Sequence, residues 1–261
     1  MKAEIYSLEG KASGSVELPA CFSEAVRPDL IKRAVLSDES RTYQPKGSFR
    51  LAGLQTSAVY KGRKEDFGSL KNRGGAKLPR EVGSKGQHGK VKRIPSAVKG
   101  RRAHPPKPQK ILIEEMNPKE YSKALRSAIA ATANPELAKS RGHIFNSKLP
   151  LILDNSLESV SKTKQVMNIF EKLGLATDVL KAKNNTKALS GIRHTRSKSK
   201  YVPKSVLLVV KGGSVLKAAR NLAGVDAVKV SELKVRHLAP GTHPGRLTVF
   251  SASAVEELKK F

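Results

Sequence analysis

The sequence predicts an α/β protein with a mostly parallel β-sheet and helices on both faces, plus a long irregular basic extension. Short apolar runs alternate with helical patterns after Leu149, and this alternation is typical of a parallel sheet covered by helices. The run Val206–Val210 is apolar at five consecutive positions, as expected for a central strand that is buried on both faces. The extension is predicted from the charge and irregularity of residues 41–110.

The first 40 residues predict a hairpin followed by a helix. Lys2–Leu8 alternates weakly between polar and apolar residues, and Ser13–Leu18 could return beside it as a partner strand. Pro28 suits the first turn of a helix over Asp29–Glu39, where apolar residues recur at helical spacing.

Two helices with clear start signals are expected further along the chain. Asn117 can cap a helix whose first position is Pro118, and Glu120 can reach back from the third position. Asn134-Pro135 gives a second start of the same kind, and the helix that follows is expected to stop at Gly142.

The remaining chain predicts strands and helices in alternation, without an internal repeat. In chain order we expect a strand at Leu151–Leu153, a helix from Ser161 or Thr163 to Gly174, a short strand at Ala176–Leu180, a strand at Val206–Val210, a helix at Val215–Ala223, strands at Val225–Val230 and Leu247–Phe250, and a terminal helix at Ala252–Lys260.

The 261-residue chain carries a net charge of +28, and 24 of these charges lie in two segments. Residues 41–110 contain 19 lysines and arginines against three acidic residues, and residues 181–204 contain eight against none. This concentration predicts a polyanionic partner, with nucleic acid favoured over an anionic membrane surface. We therefore expect a globular core formed by residues 1–40 and 111–261, with 41–110 inserted as an RNA-binding loop and 181–204 as a second basic loop within the core.

Residues 41–110 show neither the period of a strand nor that of a long amphipathic helix. So basic a segment, with ten glycines and six prolines, buries too little apolar surface to offset its ordering entropy, so it is either disordered or ordered by a polyanion. Its two arms of roughly 35 residues could each reach about 100 Å when extended. The reversal is expected near Asn72–Gly75, and Gly83, Gly86 and Gly89 allow close approach of another backbone.

The residues expected to contact RNA are the basic residues and histidines of the two segments. Prolines lie beside the charges of Arg101–Pro108, which suits a stiff chain running between nucleic-acid helices. Gly191–Lys200 places small and hydroxyl residues between charges, which also suits phosphate and sugar contacts. The plainer alternatives are a disordered, non-specifically binding loop for the first segment and a flexible linker for Gly191–Lys200. The predicted RNA-binding residues are Arg41, Lys46, Arg50, Arg63, Lys64, Arg80, Lys85, His88, Lys90, Lys92, Arg93, Lys99, Arg101, Arg102, His104, Lys107, Arg193, His194, Arg196, Lys198 and Lys200.

Other classes of function lack a complete motif. Lys211–Ser214 lies between a strand and a helix like a phosphate-binding turn, but it matches neither common nucleotide-binding motif, and a tight turn is the favoured interpretation. Cys21 is the single cysteine and the six histidines have no metal-ligand spacing, so no disulfide, metal or cofactor is expected. No signal-peptide pattern and no run of 18 apolar residues is present, so a cytoplasmic protein without membrane binding is expected.

Two other functions remain open from the residues alone. An RNA-modifying enzyme on a Rossmann-like sheet would need a glycine-rich turn after the first strand, and Glu9-Gly10-Lys11 does not supply one. A DNA-compacting chromatin protein would bind DNA and rRNA with equal affinity at matched salt. The adjacent pairs Glu114-Glu115 and Glu256-Glu257 are interpreted as solvated charge.

Several motifs resemble the universal large-subunit ribosomal protein four family in its archaeal form. The most specific are RRAHPP at 101–106 and KAARNLAG at 217–224. The others are Gly53–Ala58, Arg93–Pro95, Leu151–Asp154, Pro203–Leu207, Leu238–Gly241 and Pro244–Phe250, which follow the order of the family over most of the chain.

The resemblance implies a Rossmann-like α/β core at the outer surface of the large subunit and a long extension that passes through large-subunit rRNA. It implies that the extension lines the nascent-peptide exit tunnel, opposite an extension of the protein twenty-two family. The family supports subunit assembly and is not an enzyme. The implied partners are large-subunit rRNA, neighbouring large-subunit proteins and the nascent peptide, without DNA.

The sequence departs from the family pattern between Lys61 and Gly89. There Glu65, Asp66 and Phe67 interrupt a glycine- and arginine-rich run. From the midpoint of the basic segment, the residues predicted to form the tip in the tunnel are Lys71, Asn72, Arg73, Gly74, Gly75 and Lys77.

Overall fold

A computed structural model describes residues 2–196 and 199–260. Within these residues the strands are β1 (Lys2–Tyr6), β2 (Ala12–Glu17), β3 (Arg80–Val82), β4 (His88–Val91), β5 (Leu151–Leu153), β6 (Lys187–Ala188), β7 (Lys200–Tyr201), β8 (Leu207–Val210), β9 (Asp226–Lys229) and β10 (Thr248–Ser251). The α-helices are α1 (Pro28–Ser40), α2 (Pro118–Thr132), α3 (Pro135–Ser140), α4 (Thr163–Lys172), α5 (Ala176–Asn184), α6 (Gly191–Arg196), α7 (Val215–Ala219), α8 (Val235–Leu238) and α9 (Ala252–Glu257).

The chain divides into two compact units. The core unit comprises the described residues of 1–42 and 113–261, and the inserted unit comprises Tyr43–Leu112. In the core unit, the Ser37 hydroxyl donates to the Glu114 carbonyl at 2.6 Å, and the Glu114 N–H donates to the Ser40 hydroxyl oxygen at 3.0 Å. The chain therefore leaves the core unit at the end of α1 and re-enters it at a neighbouring point.

The core unit is built on a six-stranded sheet in the order β2-β1-β5-β10-β8-β9. β2 pairs antiparallel with β1, and every other neighbouring pair is parallel. In register, Phe250 of β10 lies opposite Ile152 of β5 on one side and Val209 of β8 on the other. The prediction of a mostly parallel α/β sheet is confirmed, and so is the N-terminal hairpin.

Helices pack on both faces of this sheet because alternate residues of its buried strands point in opposite directions. Ile152, Val209 and Phe250 belong to one apolar cluster, together with residues of α1, α2, α8 and α9. Leu208 and Val249 belong to a second cluster with residues of α4, α5 and α7. Each central strand is therefore buried on both sides, which explains the unbroken apolar run of β8.

The two predicted asparagine-proline helix starts are confirmed. The Asn117 side chain accepts a hydrogen bond from the Lys119 N–H at 3.1 Å, and the Asn134 side chain accepts one from the Glu136 N–H at 2.9 Å. In both helices proline takes the first position, where its missing N–H has no partner to lose.

Two predictions for the second half of the core unit are wrong. Ala176–Leu180 is the start of helix α5 and not a strand, because Val179 and Ala182 are buried three residues apart on one helical face. The helix predicted over Val215–Ala223 ends at Ala219. The chain must turn after this residue to reach Gly224, whose carbonyl accepts from the Ser205 N–H at 2.9 Å.

Residues 41–110 contain one short hairpin that their sequence pattern did not indicate. In the inserted unit, β3 and β4 form an antiparallel hairpin around the turn Ser84–Gly86. Strands of three and four residues are too short to show an alternating pattern in the sequence. Gly89 allows their close approach, since an added Cβ would lie 3.0 Å from the Glu81 carbonyl oxygen.

Arg246, which lies two residues before β10 in the sequence, is a fully buried arginine with no exposed side-chain area. Its guanidinium donates to the carbonyl oxygens of Ser205 at 2.8 Å, His237 at 2.9 Å and Gly224 at 3.1 Å. Its Nη1 atom also lies 2.8 Å from an Asp226 carboxylate oxygen. One side chain thus contacts three other stretches of the core unit, around Ser205, Gly224–Asp226 and His237.

His237 predicts a pH-dependent loss of stability. Burial and the charge of Arg236 lower its pKa to about 4, while its Nδ1 accepts from the Lys234 N–H at 3.2 Å. The unfolded chain therefore binds a proton near pH 6.5 that the folded chain does not yet bind, so stability should fall as pH drops from about 6.5 to about 4. His237→Asn keeps an acceptor but does not titrate. Urea unfolding across this range should show a shallower pH dependence for the variant, and equal dependences would contradict the assignment.

Candidate nucleic-acid interface

Most of the predicted RNA-binding residues are exposed and so available to a ligand. Arg80, His88 and Lys92 are partly buried, while Lys198 and the side chain of Arg196 lie outside the described residues. The exposed residues are Arg41, Lys46, Arg50, Arg63, Lys64, Lys85, Lys90, Arg93, Lys99, Arg101, Arg102, His104, Lys107, Arg193, His194 and Lys200.

The inserted unit contains two irregular arms, residues 43–58 and 93–112, that run antiparallel. The arms meet where Gly47 lies beside Pro108, where Gly53 lies beside Gly100, and where the Arg93 side chain donates to the Ala58 carbonyl at 3.1 Å. Gly53 has φ +75°, and an added Cβ would lie 2.4 Å from the Gly100 carbonyl oxygen. Only glycine therefore lets the arms approach this closely.

The predicted tip is an exposed turn. Residues 71–77 are all exposed within the inserted unit, and Leu70, just before them, is buried. Asn72 has φ +58° and Gly74 has φ +68°, which are values typical of turns. An added Cβ at Gly74 would meet no atom within 4 Å, which leaves this turn open on its outer side.

Two polar atoms of the inserted hairpin are buried without a hydrogen-bond partner among the described residues. They are the Nε atom of Arg80 in β3 and the Nε2 atom of His88 in β4. Buried polar groups in folded proteins are nearly always hydrogen-bonded, so these two atoms are exceptions within the hairpin.

The second basic segment forms a small hairpin. Its first residues, Lys181–Asn184, belong to helix α5, after which β6 and β7 pair antiparallel on either side of the short helix α6. Arg193, His194 and Lys200 are exposed there. The predicted loop is therefore more regular than its composition suggested.

The glycine turn after β8 is filled by the protein itself. Glu158 accepts from the Lys211 N–H at 3.2 Å and from the Ser251 hydroxyl at 2.8 Å. Gly213 has φ +101°, and an added Cβ would lie 2.2 Å from the Glu158 carbonyl oxygen. The turn therefore packs against Glu158 at the sheet edge where related α/β sheets hold a nucleotide, as expected for a tight turn.

A basic cleft in the core unit was missed by sequence reasoning. It is bounded by the end of α3, by α5, by β7 and by the loop Pro240–Pro244, and it has a volume of about 790 Å³. His143 and Asp178 are buried in its wall, with 3.0 Å between His143 Nδ1 and an Asp178 carboxylate oxygen. Their separation by 35 residues in the sequence gave no signal of this pair.

Metal-ligating clusters and membrane-spanning helices are both absent from the part of the chain that the structure describes. In residues 2–196 and 199–260, no group of three or more His, Cys, Asp or Glu side chains is placed to hold a metal ion. The helices of this same part of the chain include none with the length and apolar character needed to cross a membrane.

The chain is similar to known ribosomal proteins over nearly its whole length. The family model described as "Ribosomal protein L4/L1 family" matches residues 16–261. Large ribosomal subunit protein uL4 of Methanocaldococcus jannaschii is 49% identical over 263 residues, which cover 100% of this chain and 99% of the relative. The proteins of the same name from Methanoculleus marisnigri and Archaeoglobus fulgidus are 45% and 47% identical, and the matches cover at least 98% of each chain.

Proposed function

Because this chain belongs to the ribosomal protein L4/L1 family, we propose that it is a structural protein of the large ribosomal subunit that binds large-subunit rRNA. The family is structural and non-enzymatic. The work required of the chain is therefore non-covalent: it neutralises phosphate charge, donates hydrogen bonds to phosphate and sugar, and fits the shape of folded RNA. Its protein partners are neighbouring proteins of the large subunit.

The observation that carries this proposal is the position of the charge. Residues 41–110 and 181–204 hold 24 of the 28 net charges, and most of the predicted contact residues in them are exposed. The rest of the chain has a net charge of only +4. A polyanion would therefore be drawn to these two segments, and the core would be left to hold them in place.

The inserted unit also needs a partner to hold it together. Across Tyr43–Leu112, all of which the structure describes, Ala58 and Leu70 are the buried hydrophobic residues. Two such side chains are too few to offset the ordering entropy of 70 residues. Phosphate contacts along the arms would supply the missing stabilisation, and they would order rRNA helices around the arms during subunit assembly.

We further propose that residues 71–77 line the nascent-peptide exit tunnel, opposite an extension of the protein twenty-two family. The family resemblance supports this position, and so do the exposed turn and the open surface beside Gly74. In this arrangement the arms contact RNA and the turn contacts water and the passing peptide. The acidic residues Glu65 and Asp66 lie just before the turn and are exposed.

A variant with four fewer positive charges in the arms tests the rRNA interface. Arg50, Arg101, Arg102 and Lys107 are exposed in the two arms, and all four are replaced by glutamine. Each lost phosphate contact should reduce the slope of log affinity against log salt by about 0.7–0.9, so the slope should fall by about 3. The measurement is binding to a large-subunit rRNA fragment at several salt concentrations.

The matched control replaces four exposed lysines of the core unit, Lys32, Lys123, Lys164 and Lys229, by glutamine. It removes the same charge and should leave the salt slope nearly unchanged. Equal slope changes in the two variants would contradict a specific interface on the arms. Equal affinity of the unmodified protein for a DNA duplex at matched salt would favour a chromatin protein.

A further inference from the structure

The basic cleft of the core unit contains two cations, Arg141 and Lys181, whose hydrogen-bond acceptors are uncharged. Arg141 donates to the carbonyl oxygens of Pro240, at 2.6 Å, and His243, while Lys181 donates to the Gly142 carbonyl at 2.6 Å. All three acceptors are neutral. Burial and the nearby charge of Arg246 lower the pKa of Arg141 to about 10, which still leaves it charged at neutral pH. The cleft is therefore suited to an anion.

The remaining acidic groups near the cleft are already engaged. Asp178 accepts from the Ile144 N–H at 3.1 Å and pairs with His143. The Lys204 ammonium lies 2.8 Å from both carboxylate oxygens of Asp226, so this lysine is already paired with an acidic group, which it shares with Arg246. Arg141 and Lys181 are thus the cations left for a ligand.

His143 presents a buried atom that lacks a partner. Its side chain is 4% exposed, and its Nε2 atom has no hydrogen bond among the described residues. In the neutral imidazole whose Nδ1–H donates to the Asp178 carboxylate, Nε2 carries a lone pair that can accept a hydrogen bond. A hydroxyl group of a ligand would satisfy it.

Tyr201 adds an aromatic face at the rim. It lies in β7, is 56% exposed and lines the cleft. Sequence-specific and single-stranded RNA recognition commonly stacks an unpaired base on such a ring, with the phosphate held by a nearby cation. The volume of about 790 Å³ is also in the range of small-ligand sites.

We propose that this cleft binds one unstacked nucleotide of an RNA strand. Lys181 and Arg141 hold its phosphate, Tyr201 stacks on its base, and His143 Nε2 accepts a hydrogen bond from the ribose 2′-hydroxyl. The inference rests on the proposed rRNA-binding function and adds a defined site on the core unit, separate from the residues of the inserted unit. A purely acidic peptide would supply the anion but neither the base nor the ribose.

The test uses the full-length protein and a single-stranded RNA pentanucleotide that contains 4-thiouridine. Photocrosslinks are mapped by mass spectrometry, and their yield in the peptides that hold residues 141–143 and 199–204 is followed against RNA concentration. Lys181→Gln should raise the half-saturating concentration roughly tenfold, as should Tyr201→Leu. Lys183→Gln, which changes an exposed lysine of the same helix that does not line the cleft, should leave it unchanged, and Tyr201→Phe should retain binding.

Two further measurements test whether the cleft recognises the ribose and whether its partner is RNA or an acidic peptide. His143→Asn keeps a donor for Asp178 but has no atom in the place of Nε2, so it should weaken RNA and leave the deoxy pentanucleotide unaffected. Equal crosslinking of the RNA and deoxy pentanucleotides would overturn the proposal, and so would competition by an acidic peptide at lower concentration than by RNA. If these cleft variants change nothing while a large-subunit rRNA fragment still binds with a steep salt slope, only the cleft proposal fails. If the rRNA fragment itself binds no better than DNA, the proposed function fails.

Discussion

Replacing Arg246 by methionine should lower the free energy of unfolding by about 3–5 kcal/mol. The guanidinium has no exposed area, and it donates to three backbone carbonyl oxygens while pairing with Asp226. Methionine fills much of the volume but satisfies none of these acceptors. The carbonyl groups of Ser205 and His237 would lose the hydrogen bonds from Arg246, Gly224 would keep only the Ser205 N–H, and the Asp226 carboxylate would keep only Lys204.

Urea unfolding followed by circular dichroism measures this effect. The matched control is Arg220→Met, which changes an exposed arginine of the same core unit and should alter stability by less than about 0.5 kcal/mol. Arg246→Lys keeps the charge but has fewer donors, so it should fall between the two. A loss below about 1 kcal/mol for Arg246→Met would show that the buried network is dispensable.

Replacing Tyr43–Leu112 by a linker of about four glycine and serine residues should remove most of the salt-sensitive rRNA affinity, which for 6–10 phosphate contacts changes by about 10³–10⁵-fold between 50 and 200 mM salt. If about half of the 19 lysines and arginines of residues 41–110 contact phosphate, the salt slope should fall by about 7. The core should still unfold in one cooperative transition, because Ser40 and Glu114 already lie within hydrogen-bond distance and a short linker can span the gap.

A smaller deletion separates the arms from the turn. Removing residues 71–77 takes away the predicted tip and leaves both arms, so rRNA affinity should stay within a few-fold of the original. In large subunits that carry this variant, photocrosslinks from a nascent peptide to the protein should disappear. A large loss of rRNA affinity would show that the turn contacts RNA, and persistent crosslinks would show that other residues face the tunnel.

Failure of the variant in which a linker replaces Tyr43–Leu112 to fold would contradict the division of the chain into a core and an insertion.

The sequence predicted the parts of the fold that depend on local chemistry. The run ending at Val210 had to be a buried strand because no polar face was available, and Asn117 and Asn134 mark helix starts through hydrogen bonds to residues two positions away. Ala176–Leu180 was misassigned because five residues are too few to distinguish helical from strand spacing. Its helical character depends on Ala182, which lies beyond the window.

The candidate sites also divide into those that local sequence indicates and those that depend on residues distant in the chain. Charge density identifies the two basic segments directly, since like charges cannot be buried together without partners. Arg246 was missed because an arginine is ordinarily exposed, and its burial depends on carbonyl groups from distant stretches. The cleft around His143 was missed for the same reason, since the residues that line it come from four separate parts of the chain.

The neighbouring ends of the insertion also bear on how its length can vary between relatives. Closing a flexible loop costs free energy that grows only with the logarithm of its length, by about 0.6 kcal/mol for each doubling. Adding or removing a tenth of Tyr43–Leu112 would therefore change the stability of the core by only about 0.1 kcal/mol. Insertions and deletions there are nearly neutral for folding, so the stability of the core places little constraint on the length of this segment.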